Sequence, residues 1–184
     1  MKKSTKSSLT LIVILSLMSA LSIVLGKYLA VNIGTVLRLS LENLPIIFSG
    51  IAFGPLCGAA VGLVSDLVGC LLVGYEINPI VTLGAVAIGL SSGIVAWIFS
   101  RTGYSRLWLT VALAELSAHL LGSVIIKTAG LSAYYDMPFI ILVLWRLLNY
   151  VIIAIPEGAL VYLLLKNPEI KREIGSIKSW GDRG

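Results

Sequence analysis

Apolar residues run almost unbroken along this chain, and polar ones gather where the runs stop. The apolar stretches are 8–28, 44–74, 79–100, 107–127 and 138–165. A helix that crosses a hydrocarbon core about 30 Å thick needs about 20 apolar residues, so each stretch predicts at least one span. The run 44–74 is too long for one: at 1.5 Å per residue it would reach roughly 46 Å. It also holds FGPLCG, Phe53 to Gly58, a Gly-Pro break that favours a turn. Dividing it there predicts spans at about 8–28, 41–53, 56–74, 79–100, 107–127 and 138–165, with a tail at 166–184. The pattern therefore predicts an all-α membrane protein, a six-transmembrane-helix bundle. It forms a single integral membrane domain over 1–184, with a long outer loop between helices one and two.

Composition agrees. The 184 residues are 58% hydrophobic and 12% charged, with a mean hydropathy of +0.99, whereas a soluble domain is about one quarter charged. Charge placement supplies the parity. Lys2, Lys3 and Lys6 precede the first run, and Lys166, Lys171, Arg172, Lys178 and Arg183 follow the last. Basic flanks mark the cytoplasmic side, which puts both ends there and requires an even number of spans. Six spans also place Arg101 and Arg106 inside, leaving Lys27, Arg38 and Lys127 outside and Arg146 within the membrane. The net charge of +5 is thus a signature of orientation, not of nucleic-acid binding. The first run, LTLIVILSLMSALSIVLG, follows lysines as a signal peptide would. It is longer than a usual signal core and no small-x-small cleavage site follows, so it reads as a retained span.

On this topology the outer face holds three loops, 29–43, 75–79 and 128–137. The first, with VNIGTVLRLSLEN, is polar-spotted and suits an amphipathic segment or a hairpin over the bundle. Gly54, Gly58 and Gly62, then Gly84, Gly89 and Gly93, are spaced for close helix approach.

Polar groups inside a span are costly and need a partner or a cavity. Asp66 lies mid-span on the third helix, Glu115 and His119 share a face of the fifth, and Arg146 and Asn149 share a face of the sixth beside Trp145. Two readings compete. An internal ion pair, such as Arg146 with Asp66, would pin the bundle. A polar cavity open to the outer face would also use Asn78, Thr82, Trp145 and Asn149, which fall in the same half, with Tyr75, Tyr134 and Tyr135 on the loops. The cavity accounts for more of these residues. Asn78, before Pro79, is equally a helix cap, and the tyrosines are either interfacial aromatics or a cover for the cavity. Glu157 is expected to pair structurally, His119 to be a bonded core residue, and Glu115 to be structural. Cys57 and Cys70 read as small buried hydrophobes, and one histidine with no Cys/His cluster argues against a metal centre. No cofactor is called for. The chain has no GxSxG, HExxH or P-loop, so it is expected to be no enzyme and to lack its own ATPase. A binding cavity without an energy source needs a partner.

Three segments together resemble a known family: LRLSLENLPIIFSGIAFGPLCGAAVGLVSDLVG (37–69), INPIVTLGAVAIGL (77–90) and WRLLNYVIIAIPEGALVYLL (145–164). They are similar to the substrate-binding S components of energy-coupling-factor vitamin transporters, and most of all to the folate-specific group. Arg38, Ser40, Leu44, Pro45 and Ile46 match one of its motifs, and Phe53, Gly54, Pro55, Gly58, Gly62, Asp66 and Gly69 another. The resemblance covers about 10–166. It implies a six-helix binding subunit of an ABC-type importer in the cell membrane, with both termini cytoplasmic. It implies capture of folate at the outer face and docking on a transmembrane T subunit driven by two cytoplasmic ATPase subunits. Sister S components take riboflavin, thiamine, biotin or other small molecules such as a queuosine precursor. The family docks through A-x-x-x-A on helix one; Ser16-x-x-x-Ala20 is the nearest match here, with Ser22-x-x-x-Gly26 further out. For folate, the expected ligand contacts are Arg38, Asp66, Asn78, Thr82, Lys127, Tyr135, Trp145, Arg146 and Asn149. The outer cations Lys27, Arg38 and Lys127 are candidates for the glutamate tail of folate, Trp145 or Tyr135 for stacking on the pterin.

Overall fold

The computed structural model describes residues 2–33, 37–102, 106–135 and 138–181, with side chains described over 8–31, 39–102, 106–134 and 138–177. Helix α1 (Lys2–Ile23) runs on through five π-helical residues, Val24–Tyr28. Strands β1 (Val31–Ile33) and β2 (Leu37–Leu39) pair antiparallel, Asn32 opposite Arg38. Then follow α2 (Asn43–Phe53), α3 (Pro55–Val73) and α4 (Pro79–Arg101). Next, α5 (Leu107–Ser117), a π-helical stretch Ala118–Ile126 and α6 (Lys127–Tyr135) form one rod. The chain closes with α7 (Phe139–Lys166) and α8 (Pro168–Gly181).

Five segments are long and apolar enough to cross a membrane: Ser8–Tyr28, Pro55–Val73, Pro79–Arg101, Leu107–Tyr134 and Phe139–Lys166. Helix α2 is apolar but has eleven residues, about 16 Å of helix at 1.5 Å each. Everything in it from Asn43 to Ala52 is buried, packed among α1, α3, α4 and α7. Its lead-in is tied to α1: Ser22 Oγ donates to the Glu42 carbonyl at 2.6 Å.

The Gly-Pro break falls where the pattern put it. Gly54 has φ +104°, a conformation open to glycine, and Pro55 opens α3, where a missing N–H costs no hydrogen bond. Beyond the break, α3 and α4 meet backbone to backbone. A Cβ on Gly62 would stand 2.2 Å from the Ala85 carbonyl oxygen, and one on Gly89 2.1 Å from the Gly58 carbonyl. The small residues therefore serve helix packing, as expected. Ile47, Val61, Ile88 and Val161 fill the centre, at no more than 1% exposure.

One expectation needs correction. The fifth span was expected to stop at 127 and give way to a loop over 128–137, yet the helix continues to Tyr135. Its small and polar residues look like a turn in sequence but are packing contacts. Thr128 is fully buried, and a Cβ on Gly130 would touch Ile80 at 3.0 Å. The tail expected at 166–184 carries helix α8. Helix α8 lays Ile170 and Ile174 against the core, while Lys171, Arg172 and Glu173 are exposed. On α1, Ser16 and Ala20 are exposed in line with Ile12 and Val24. Ser22 and Gly26 instead face inward, and a Cβ on Gly26 would strike Glu42 at 2.7 Å.

Candidate ligand cavity

A cavity of about 430 Å³ opens at the hairpin end of the bundle, a size that suits small-molecule ligands. Its walls come from the end of α1 (Ser22, Lys27), the chain after β2 (Ser40, Glu42), the far half of α3 (Ser65, Asp66, Cys70) and the α3–α4 connection (Tyr75, Glu76, Asn78). Helix α6 adds Lys127 and Tyr134, and the first half of α7 adds Trp145, Arg146, Asn149 and Tyr150.

Most of the expected contacts converge here. Asp66, Asn78, Lys127, Trp145, Arg146 and Asn149 line the cavity. Thr82 does not line it; buried behind the wall, its hydroxyl donates to Asp66 Oδ2 at 2.7 Å and fixes that carboxylate. The side chains of Arg38 and Tyr135 lie outside the described residues; their backbones sit in β2 and at the end of α6.

Bonding divides the lining residues into committed and available groups. Asn78 caps α4, its Oδ1 accepting from Ile80 N at 3.0 Å and Val81 N at 3.3 Å, while Nδ2 donates to the Gly130 carbonyl at 3.0 Å. The cap and the cavity wall are therefore the same residue, and its amide is largely spent as a strut between α4 and α6. Lys127, expected as an outer cation at the end of the fifth span, is 5% exposed within a continuing helix and pairs with Glu42 at 3.3 Å. Breaking such a pair on one side strands a charge in low dielectric, at about 3–5 kcal/mol. Tyr134 donates to Glu76 at the rim, and Lys27 stands over the Tyr75 ring at 5.5 Å.

Arg146 is different. Its Nη2 donates to Tyr150 Oη at 3.1 Å, while its buried Nε has no hydrogen-bond partner among the described residues. Among those residues Arg146 and Asp66 form no ion pair, which removes the bundle-pinning reading of the two. Trp145, 42% exposed, contributes to the cavity lining. The lining holds three cations, Lys27, Lys127 and Arg146, and three anions, Glu42, Asp66 and Glu76.

Glu42 and Tyr150 were missed by the sequence reading. Each had a signal. Glu42 is a carboxylate at the edge of an apolar run, which needs a partner. Tyr150 follows Arg146 by four residues, on the same helix face.

Below the cavity floor sits a second polar group. His119 Nε2 lies 3.1 Å from Glu115 Oε2 and 3.0 Å from Glu157 Oε2, all three side chains buried. This brings α5 and the π-helical stretch together with α7.

Residues 6–168 match the family model described as ECF-type riboflavin transporter, S component. No curated protein sequence matches the chain closely. Among solved structures, FolT bound with folic acid is similar with a TM-score of 0.66 and 27% identity, over 83% of this chain and 90% of that one. The S component for biotin from an ECF-type ABC transporter has a TM-score of 0.69 at 16% identity, covering 92% and 97%. The S component of a bacterial ECF transporter has 0.63 at 22% identity, covering 87% and 99%. The last two likenesses speak to the fold.

Proposed function

The chain belongs to the family of ECF-type riboflavin transporter S components, and we propose that within it the chain captures folate at the outer face of the membrane for ATP-driven uptake. The protein is a multi-pass membrane protein. In this reading α2 counts as a short sixth span, both termini are cytoplasmic and the hairpin end faces outward. The positions of Lys2, Lys3, Lys6, Lys166, Lys171 and Arg172 support that orientation. The chain lacks a P-loop, so the energy comes from partners: a transmembrane T subunit and two ATPase subunits. The exposed Ser16 and Ala20 on α1 offer the small-residue face for docking.

The observation that carries the folate reading is the likeness to FolT with folic acid, at 27% identity over 83% of the chain. The cavity supports it. A flat pterin suits the ring of Trp145, and the guanidinium of Arg146 is a charge-assisted donor for a pterin edge or a carboxylate. Asp66, held by Thr82, can accept from pterin N–H groups. Lys27 and Lys127 are the described cations for the glutamate tail, Lys127 sharing its charge with Glu42.

Riboflavin is the second reading. The family model carries that vitamin in its description, and balanced lining charges suit an uncharged flat ligand. Competition against labelled folate separates the two. Unlabelled folate should displace it at the lowest concentration, pteroate (which lacks the glutamate) at a higher one, and riboflavin not at all. Displacement by riboflavin at concentrations as low as those of folate would transfer the assignment to a flavin.

A further inference from the structure

Glu115, His119 and Glu157 meet inside the membrane-spanning part of the bundle, with exposures of 3%, 4% and 0%. Ion pairing explains why they are near one another but leaves their bonding incomplete. Nε2 of His119 is within 3.1 Å of both carboxylates, yet no N–H points well at either oxygen. Both oxygens of Glu115, both of Glu157 and both ring nitrogens of His119 lack a hydrogen-bond partner among the described residues. Unmade bonds on buried polar atoms cost about 1–3 kcal/mol each, and more on charged groups. Two oxygens flanking one imidazole nitrogen, none aligned with its N–H, is how ligands stand around a shared ion.

We propose that Glu115, His119 and Glu157 form a divalent transition-metal site, of the kind that takes Zn²⁺, beneath the ligand cavity. The two spacings to the imidazole suit it: bonds of 2.0–2.1 Å in a tetrahedron set ligand atoms about 3.3 Å apart, against 3.0 and 3.1 Å from His119 to the carboxylates. One ligand atom from each residue falls within 4.8 Å of the others. Charge balance suits it too, because two carboxylates and a neutral imidazole around a divalent cation sum to zero in a region where net charge is expensive. Imidazole with carboxylate is a donor set for zinc, and three protein ligands leave a fourth position open. The imidazole is preorganised. It stacks on Tyr150 at 4.7 Å between centroids, and Tyr150 is held by Arg146. His119 also lies in the π-helical stretch Ala118–Ile126, an irregularity often found at functional sites. The lone histidine, which in the sequence argued against a metal, is here the nitrogen of the set.

The test is made easy by sequence: His119 is the chain's one histidine. The protein, purified without a polyhistidine tag and stripped by chelator, is titrated with Cu²⁺ and Zn²⁺. The site predicts one tightly held equivalent, pulsed-EPR modulation from a single imidazole on Cu²⁺, and displacement of Cu²⁺ by excess Zn²⁺. Glu157→Gln should lower the metal affinity by about 10-fold or more. If that variant does not fold, the imidazole signal of the wild-type protein locates the metal unaided. No retained metal, or metal without imidazole modulation, overturns the proposal. Folate binding is read separately, so failure here leaves the assignment of the cavity untouched.

Discussion

Arg146→Ala is expected to weaken folate binding by about 100-fold, or about 2.7 kcal/mol, the range for truncating one partner of a buried charged contact. The reason lies in how the guanidinium is held. Nη2 is anchored on Tyr150 at 3.1 Å, the cation lies 5.7 Å from the Tyr150 ring centre, and Nε is left without a partner among the described residues. A fixed donor group with an unmade bond at the cavity wall can gain in the complex what it lacks in the free protein. Arg146→Lys should fall between, because lysine keeps the charge but loses the planar fork. Asn149→Ala, one turn along the same wall, should also weaken binding, by less. Calorimetric titration of the detergent-solubilised protein reads all three. Each variant should remain monodisperse, since Arg146 is tied to its own helix rather than across the bundle. Wild-type affinity in both alanine variants would remove these residues from the site.

Gly89→Leu is expected to cost more than any change at the cavity. A Cβ at Gly89 would lie 2.1 Å from the carbonyl carbon and oxygen of Gly58 and 2.6 Å from Ala59 N. Backbone atoms cannot rotate away as a side-chain tip can, so α3 and α4 must part. That opens the contact on which Asp66 of α3 and Thr82 of α4 meet. Overpacking a tight core costs about 1–3 kcal/mol where side chains can yield, and here they cannot. The expected result is loss of the monodisperse peak in size exclusion, with folate binding gone. Gly175→Ala on α8 is the control: nothing lies within 4 Å of that position, so its unfolding midpoint should hold or rise slightly. A Gly89→Leu protein as stable as the control would mean that α3 and α4 do not touch as described.

The parts of the fold readable from sequence are those set by bilayer thickness and by backbone chemistry. The long apolar runs became Pro55–Val73, Pro79–Arg101 and Phe139–Lys166 to within a residue, because a membrane leaves little choice of length. The turn at Gly54-Pro55 was readable because few other residue pairs accept φ +104° followed by a helix start. What failed did so where tertiary contact overrides local pattern. Thr128 to Tyr135 looks like a loop until Thr128 and Gly130 are seen against their neighbours. The pairing of Lys127 with Glu42 spans 85 residues, and no periodicity could announce it. The π-helical stretch from Ala118 has no sequence signature either. Helix α8 did leave one: Ile170 and Ile174 are spaced for a single helix face.

The candidate site was legible to a similar degree. Arg146, Asn149 and Asp66 stand out because charges and amides are rare in spans, and they do line one cavity. Thr82 is one step removed, acting through Asp66, a distinction that depends on which way a side chain turns. Glu157 was separable from Arg146 because eleven residues of helix put it about 16 Å further along.

The central claim is that the cavity holds folate. Mass spectrometry of whatever leaves the heat-denatured protein, purified from cells grown with folate, tests this most directly. The account predicts folate or a reduced folate at about one equivalent per chain, absent from Arg146→Ala prepared in the same way. Riboflavin in its place, or no pterin at all, would contradict it.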